Sequence, residues 1–289
     1  MTDVDAQPQP WRRAAEWPVG DYLRVEQWAP PPRDGAGRPT SLISRVPVDA
    51  HLRDETGGLH AGALLTVIDS VGGYLAGLTV QPDGVVTTSM TLRTGRRRQS
   101  GPLRCEATVL RQGCASVVVL VSVTDEGNGG ATVASSIMTC AVLARESPDP
   151  TLGRAVHHPM APPRREPVPL VDFFGVQPGS GLITRLEIGD HLRNNWSILH
   201  GGAIAVLSDL AAVRAARSGT DGVHGVLSAT DMVLHYLAPA RVGPVEARCT
   251  VMGARPDGTV VRVAMHDAGV DDRMVALASV TVRSRASTA

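Results

Sequence analysis

The sequence predicts an α+β chain in which one unit occurs twice, each copy a long buried helix wrapped by a curved antiparallel sheet. Three observations predict it. A block of nineteen residues recurs 140 positions later, each block runs into an apolar helical segment, and each helix is followed by four β-rich runs with turn residues between them.

Laid on residues 191–209, residues 51–69 pair His51 with His191, Leu52 with Leu192, Arg53 with Arg193, Leu59 with Leu199, His60 with His200, Gly62 with Gly202, Ala63 with Ala203 and Asp69 with Asp209. These are eight identities in nineteen positions, where composition alone gives about one or two. After a two-residue shift the register resumes at an offset of 142, with Met90, Leu92, Gly101, Pro102, Thr108 and Val109 matching Met232, Leu234, Gly243, Pro244, Thr250 and Val251.

Residues 62–78 and 202–218 are long enough for helices and apolar on nearly every face, apart from a few Ser, Thr and Asp. A helix that is hydrophobic all round must be surrounded by protein. The runs 85–93, 103–111, 115–125 and 132–143 predict strands in the first copy, and 226–237, 245–252, 260–267 and 275–283 predict their counterparts. His51-Leu52-Arg53 and His191-Leu192-Arg193 are expected to close a strand before each helix rather than to touch a ligand.

At 289 residues the chain exceeds the common single-domain size. Residues 146–169 hold seven prolines and no apolar period, which predicts an extended linker. The expected organisation is therefore an N-terminal extension over 1–16, a first unit over 17–145, a linker over 146–168 and a second unit over 169–285.

The 28 basic residues, all Arg, balance 28 acidic ones. Zero formal charge argues against a nucleic-acid or anionic-membrane partner. Cys105, Cys114, Cys140 and Cys249 form no CxxC pair and have no His at zinc spacing, so reduced thiols and no metal are expected. His157-His158 in the linker lacks other ligand types nearby. Residues 1–10 are polar and no apolar run approaches eighteen residues, which predicts a soluble, cytoplasmic chain.

Asn194, then Leu199-His200-Gly201-Gly202-Ala203, then Asp209, then Leu234-His235-Tyr236-Leu237-Ala238-Pro239-Ala240 form a recognisable set. With it the chain resembles the hotdog-fold acyl-CoA thioesterases of the PaaI-like, phenylacetate-pathway type, over roughly residues 17–145 and 169–285, the first half being a diverged second copy. The resemblance implies a double hotdog, with the two sheets joined into one and the helices antiparallel. It implies hydrolysis of an acyl-CoA substrate to free acid and CoA without metal or cofactor. It leaves acyl length open.

Thioester hydrolysis needs a donor aimed at the carbonyl oxygen and a carboxylate that activates water or attacks directly. A helix N-terminus supplies unpaired amides in a favourable dipole field, so Gly201 and Gly202 suit the donor role. Asp209 cannot serve the same helix end, because nine residues from His200 place it roughly 13 Å further along. With antiparallel helices, Asp69 faces Gly201 and Asp209 faces Ala61, and each site takes parts from both halves.

Site one then combines Asp69 with Asn194, His200 and Gly201, and with Thr87, whose hydroxyl helps to hold the water in the family it resembles. Site two combines Asp209 with Asp54, His60 and Ala61. Its hydroxyl position is Ala229, although Ser228 and Thr230 flank it and a small strand shift could restore one. An added carboxylate repels developing negative charge, so site two is expected to be impaired or silent.

His60 and His200 either act in the chemistry or only orient the turn. Asp69 and Asp209, carboxylates in apolar helices, are costly unless paired or functional. Trp196 either lines the acyl pocket or caps the core. Arg96, Arg97 and Arg98 either bind CoA phosphates or form a solvated turn. Two other functions compete. An enoyl-CoA hydratase would need an Asp and a His together in one loop, which is not found, and a non-catalytic acyl-CoA or lipid-binding module would not need site one intact. Fusion replaces an obligate homodimer, and a dimer of chains, four hotdogs in all, is expected.

Overall fold

A computed structural model describes residues 18–27, 32–95, 99–144, 167–218, 225–255 and 258–285. The N-terminal extension, nearly all of the linker and the Arg96-Arg97-Arg98 turn lie outside the described residues. The first half runs α1 (Pro18–Leu23), β1 (Glu26–Gln27), β2 (Ser41–Val46), α2 (Ala61–Val80), β3 (Gly84–Thr94), β4 (Leu103–Gln112), β5 (Ser116–Asp125) and β6 (Ala131–Leu143). The second runs α3 (Leu170–Phe173), β7 (Val176–Pro178), β8 (Ile183–Leu186), α4 (Gly201–Ser218), β9 (Val226–Tyr236), β10 (Val245–Arg255), β11 (Gly258–Asp267) and β12 (Arg273–Arg285).

Among the described residues the strands form one twelve-stranded sheet in the order β1-β2-β4-β5-β6-β3-β9-β12-β11-β10-β8-β7. The halves join where β3 pairs antiparallel with β9, Thr91 lying opposite Val233. These two residues are each other's counterparts at the 142-residue offset, so a local two-fold axis passes between them. Alternation along the strands puts Val117, Val119, Val121, Met138 and Cys140 against α2, and Val261, Val263, Met265 and Val280 against α4.

The helices cross on glycine. A Cβ on Gly62 would lie 2.5 Å from the Val206 Cα, and one on Gly202 would lie 2.3 Å from the Thr66 Cγ2. Both positions therefore exclude side chains, and the two pairings fix the helices as antiparallel. The Thr66 hydroxyl sits between the carbonyls of Gly62 (2.7 Å) and Gly202 (3.1 Å), tying the crossing together. Among the described residues α2 is the one helix apolar and long enough, by composition, to cross a membrane, because Thr66, Asp69 and Ser70 only dilute its hydropathy; 78% of that apolar stretch is buried inside the protein.

The eight expected strands and two expected helices are all present, with ends shifted by a few residues. The strand before each helix is β2 or β8. His51-Leu52-Arg53 and His191-Leu192-Arg193 do not close it, however. Each lies in or just after a short 3-10 turn, Ala50–Leu52 or Asp190–Leu192, from which the guanidinium of the third residue reaches forward. Arg53 donates to the carbonyls of Gly57 and Gln99, and Arg193 to those of Ser197 and Arg241, so the repeated arginine pins the loop that leads into the helix.

Two buried carboxylates brace the loops in which Gln99 and Arg241 lie. Asp125 accepts the amides of Ser100 and Gly101, and Asp267 those of Arg241, Val242 and Gly243. Burial works to raise the Asp267 pKa, but its backbone donors outweigh that and hold it below the usual carboxylate range.

Candidate active site

Asp69 is 7% exposed, midway along α2, and faces the first residue of α4. The Thr87 hydroxyl of β3 donates to its Oδ1 at 2.7 Å. Oδ2 lies 3.5 Å from His200 Nδ1 and has no hydrogen-bond donor among the described residues. A Cβ built on Gly201 would lie 2.7 Å from Oδ2, so the carboxylate occupies the space that the missing side chain leaves.

Gly201 opens α4 and its amide has no acceptor among the described residues, leaving a donor at the positive end of the helix. The next amide, of Gly202, donates to His200 Nδ1 at 2.9 Å. His200 thus fixes the turn, with the ring nitrogen nearest Asp69 acting as acceptor.

Asn194 Oδ1 accepts the amide of Trp196 at 2.9 Å and that of Ile198 at 3.4 Å, holding a turn in which Ser197 takes a left-handed φ of 57°. Its Nδ2 has no partner among the described residues. The Trp196 indole N–H donates to the Val85 carbonyl in β3 at 2.9 Å, so Trp196 bridges the halves beside Asp69.

One residue of the site was not expected to have a role. The Tyr236 hydroxyl, at the end of β9, donates to the Gly201 carbonyl at 2.9 Å. Burial pushes its pKa well up, with the charge of Asp69 adding to it, so it stays a neutral donor. Cys140 lies 3.9 Å from the Thr87 hydroxyl; burial first, then Asp69, push this thiol up to about 12. A thiol so held is protonated at neutral pH and no nucleophile.

Residues 56–132 and 197–273 each match the sequence profile of the thioesterase superfamily, together just over half of the chain. The chain belongs to the thioesterase superfamily. No curated protein matches it. Among solved structures it is similar to the tesB protein of Mycobacterium avium subspecies paratuberculosis, at 12% identity over 92% of this chain and 98% of that one, with a TM-score of 0.59. It is also similar to an acyl-ACP thioesterase from Bacteroides thetaiotaomicron, at 11% identity over 84% and 98%, with a TM-score of 0.55. A 12:0-ACP thioesterase from Umbellularia californica is similar at 12% identity over 85% and 94%, again with a TM-score of 0.55. These likenesses establish the tandem hotdog fold, and the family makes the chain a thioester hydrolase.

The second composite site of this thioesterase is built differently. Asp209, 2% exposed, accepts the Gly62 amide at 2.9 Å and lies 3.5 Å from His60 Nδ1. Ala61 has a methyl where Gly201 has none, which denies Asp209 the position that Asp69 takes. Ala229 offers it no hydroxyl, and the neighbouring Thr230 hydroxyl is bonded to Asp231 and the Thr281 carbonyl. Asp54 Oδ1 accepts from the amide and hydroxyl of Thr56, the same turn that Asn194 holds in the other half.

The strands beside the two sites also differ. Residues 85–88 of β3 are all half-buried, whereas their counterparts Leu227, Ser228, Ala229 and Thr230 of β9 are buried. The strand beside Asp69 is therefore less deeply buried than the strand beside Asp209.

Proposed function

We propose that this thioester hydrolase cleaves acyl-CoA at site one alone, in the manner of the PaaI-like enzymes. The observation that carries this is the one free oxygen of Asp69 set against the first, unpaired amide of α4. Asp69 acts as general base or nucleophile. In the general-base form a water held by Thr87 and Asp69 gives its proton to Oδ2 as its oxygen bonds to the carbonyl carbon. The Gly201 amide binds the resulting oxyanion. The C–S bond then breaks, and the thiolate recovers the proton from Asp69. Both roles are filled by side chain and backbone, so the reaction uses no metal or cofactor. Asn194 Nδ2 and Trp196 meet the substrate at the same turn, and Arg96, Arg97 and Arg98 are offered as its phosphate contacts.

Thiol release from a panel of acyl-CoAs by wild type, Asp69→Asn and Asp209→Asn tests this. Loss in the second variant with retention in the first would sink the assignment. No release from any thioester, with acyl-CoA still bound, would favour the non-catalytic binding module.

We further propose that two chains pair through the outer face of the sheet, where Thr91, Val233 and the 49%-exposed Ile137 surround the β3–β9 seam, in a cytoplasmic enzyme. Sedimentation of Ile137→Glu as monomer, against dimeric wild type, is the expected result.

A further inference from the structure

α2 carries four glycines, Gly62, Gly72, Gly73 and Gly77, in a helix, where glycine is less stable than alanine. Gly62 is needed for the crossing with Val206, and a Cβ on Gly72 would lie 2.2 Å from the Met138 Sδ of the sheet. Gly73 has no such reason. A Cβ there would meet no described atom within 4 Å, although the residue is half-buried.

Its place on the helix is informative. Gly62, Thr66, Asp69 and Gly73 follow one another at helical spacing along one face of α2, the face turned to α4. Gly62 meets Val206 and Thr66 meets Gly202, so α4 is running out as α2 reaches Asp69 opposite Gly201. One turn further on, Gly73 faces the space beyond the start of α4. Half-buried Thr87 of β3 donates to Asp69, and Trp196 is tied to the carbonyl of half-buried Val85, two residues before Thr87. In the second site the counterpart of Gly73 is Val213, a partly buried side chain packed on the core.

A thioester whose carbonyl sits between Asp69 and Gly201 sends two arms away from that carbon, the acyl group and the pantetheine. The groups joined on the β3 side of the site are Val85, a partly buried residue packed on the core, and the Trp196 indole, which suit hydrocarbon better than the amides of pantetheine. We propose that the acyl group of the substrate runs past Gly73, and that the missing side chain at this position sets how long or bulky an acyl group the enzyme accepts. This rests on the assignment of site one as the thioester site.

The test is kcat/KM for wild type, Gly73→Ala and Gly73→Val over acetyl-, hexanoyl-, lauroyl- and phenylacetyl-CoA. Wild type is expected to accept acyl groups longer than acetyl. The ratio of its kcat/KM for the longest accepted acyl group to that for the shortest should fall at least about tenfold in Gly73→Val, with Gly73→Ala between. Gly73→Ala should melt higher than wild type, showing that the glycine is not kept for folding. A loss equal for all acyl lengths would put pantetheine in this space and overturn the proposal, as would an unchanged profile or a wild type confined to acetyl. Affinities for non-hydrolysable thioether analogues of the same lengths, by calorimetry, read the same dependence without turnover. An enzyme that binds these by length but hydrolyses nothing would overturn the catalytic reading and leave this one standing.

Discussion

The two composite sites place the same amide in two different bonds. In the first, the second amide of α4 goes to His200 and Asp69 keeps a free oxygen; in the second, the corresponding amide of α2 goes to Asp209 itself. One methyl group separates them. Gly201 lets Asp69 come up to the helix end, and the Cβ of Ala61 turns Asp209 aside onto the Gly62 amide. A carboxylate that is short of donors is a base, and one that is satisfied by the backbone is a brace.

Asp69→Asn breaks the comparison most directly. It removes the base while keeping the Thr87 bond, and kcat should fall by about a thousandfold. Gly201→Ala copies the second site into the first, and should cost about a hundredfold in kcat by driving Asp69 off its position and disturbing the amide. Tyr236→Phe removes the hydroxyl that holds the Gly201 carbonyl; a fall of about tenfold in kcat at similar KM is expected.

Asp209→Asn should leave turnover within about twofold but lower stability by about 2 kcal/mol, seen as a melting point a few degrees lower, because a charged acceptor of a buried amide is lost. The smallest effect concerns His60. Burial disfavours its charged form, yet the bond and charge of Asp209, with Asp54 and Glu55 behind, raise its pKa above the usual histidine value. The pair thus adds stability in full below that usual value of about 6.5 and loses it as pH rises through the higher folded value. Melting points taken between pH 5 and 9 should show this loss in wild type and not in His60→Gln.

Much of this was legible in the sequence because it is local. The apolar run after each His-Gly turn marks a helix, and the 140-residue offset aligns Asp69 with Asp209 whatever the fold. The exchange of parts followed from distance together with the antiparallel helices that the resemblance implies, since a carboxylate nine residues along a helix cannot reach that helix's own start. What was not legible depends on where the chain returns. Tyr236 was visible only as part of a strand end, and its reach to Gly201 depends on the β3–β9 register.

α1 and α3 were missed for another reason. Asp21-Tyr22-Leu23-Arg24-Val25 corresponds to Asp172-Phe173-Phe174-Gly175-Val176 at an offset of 151, because the first half carries extra residues before β2. Arg24 and Gly175 both take a left-handed φ, and the Tyr22 and Phe173 rings stack at 3.7 Å between the halves. Asp54 was read as a charge near the thioester of site two; its Oδ1 accepts the Thr56 hydroxyl and amide in a turn, as the Asn194 Oδ1 accepts amides in the other half. What sets the second site apart in the structure is the methyl group of Ala61, at the position that Gly201 leaves open to Asp69.

The axis between Thr91 and Val233 lies within a single chain. In a dimer of identical subunits every substitution is made twice, once on each side of such an axis, and a change that shuts one site shuts both. Here a substitution is made once. Ala61 can differ from Gly201 without touching the first site, and Asp209, bonded to the Gly62 amide, is part of the scaffold that ties the two helices together.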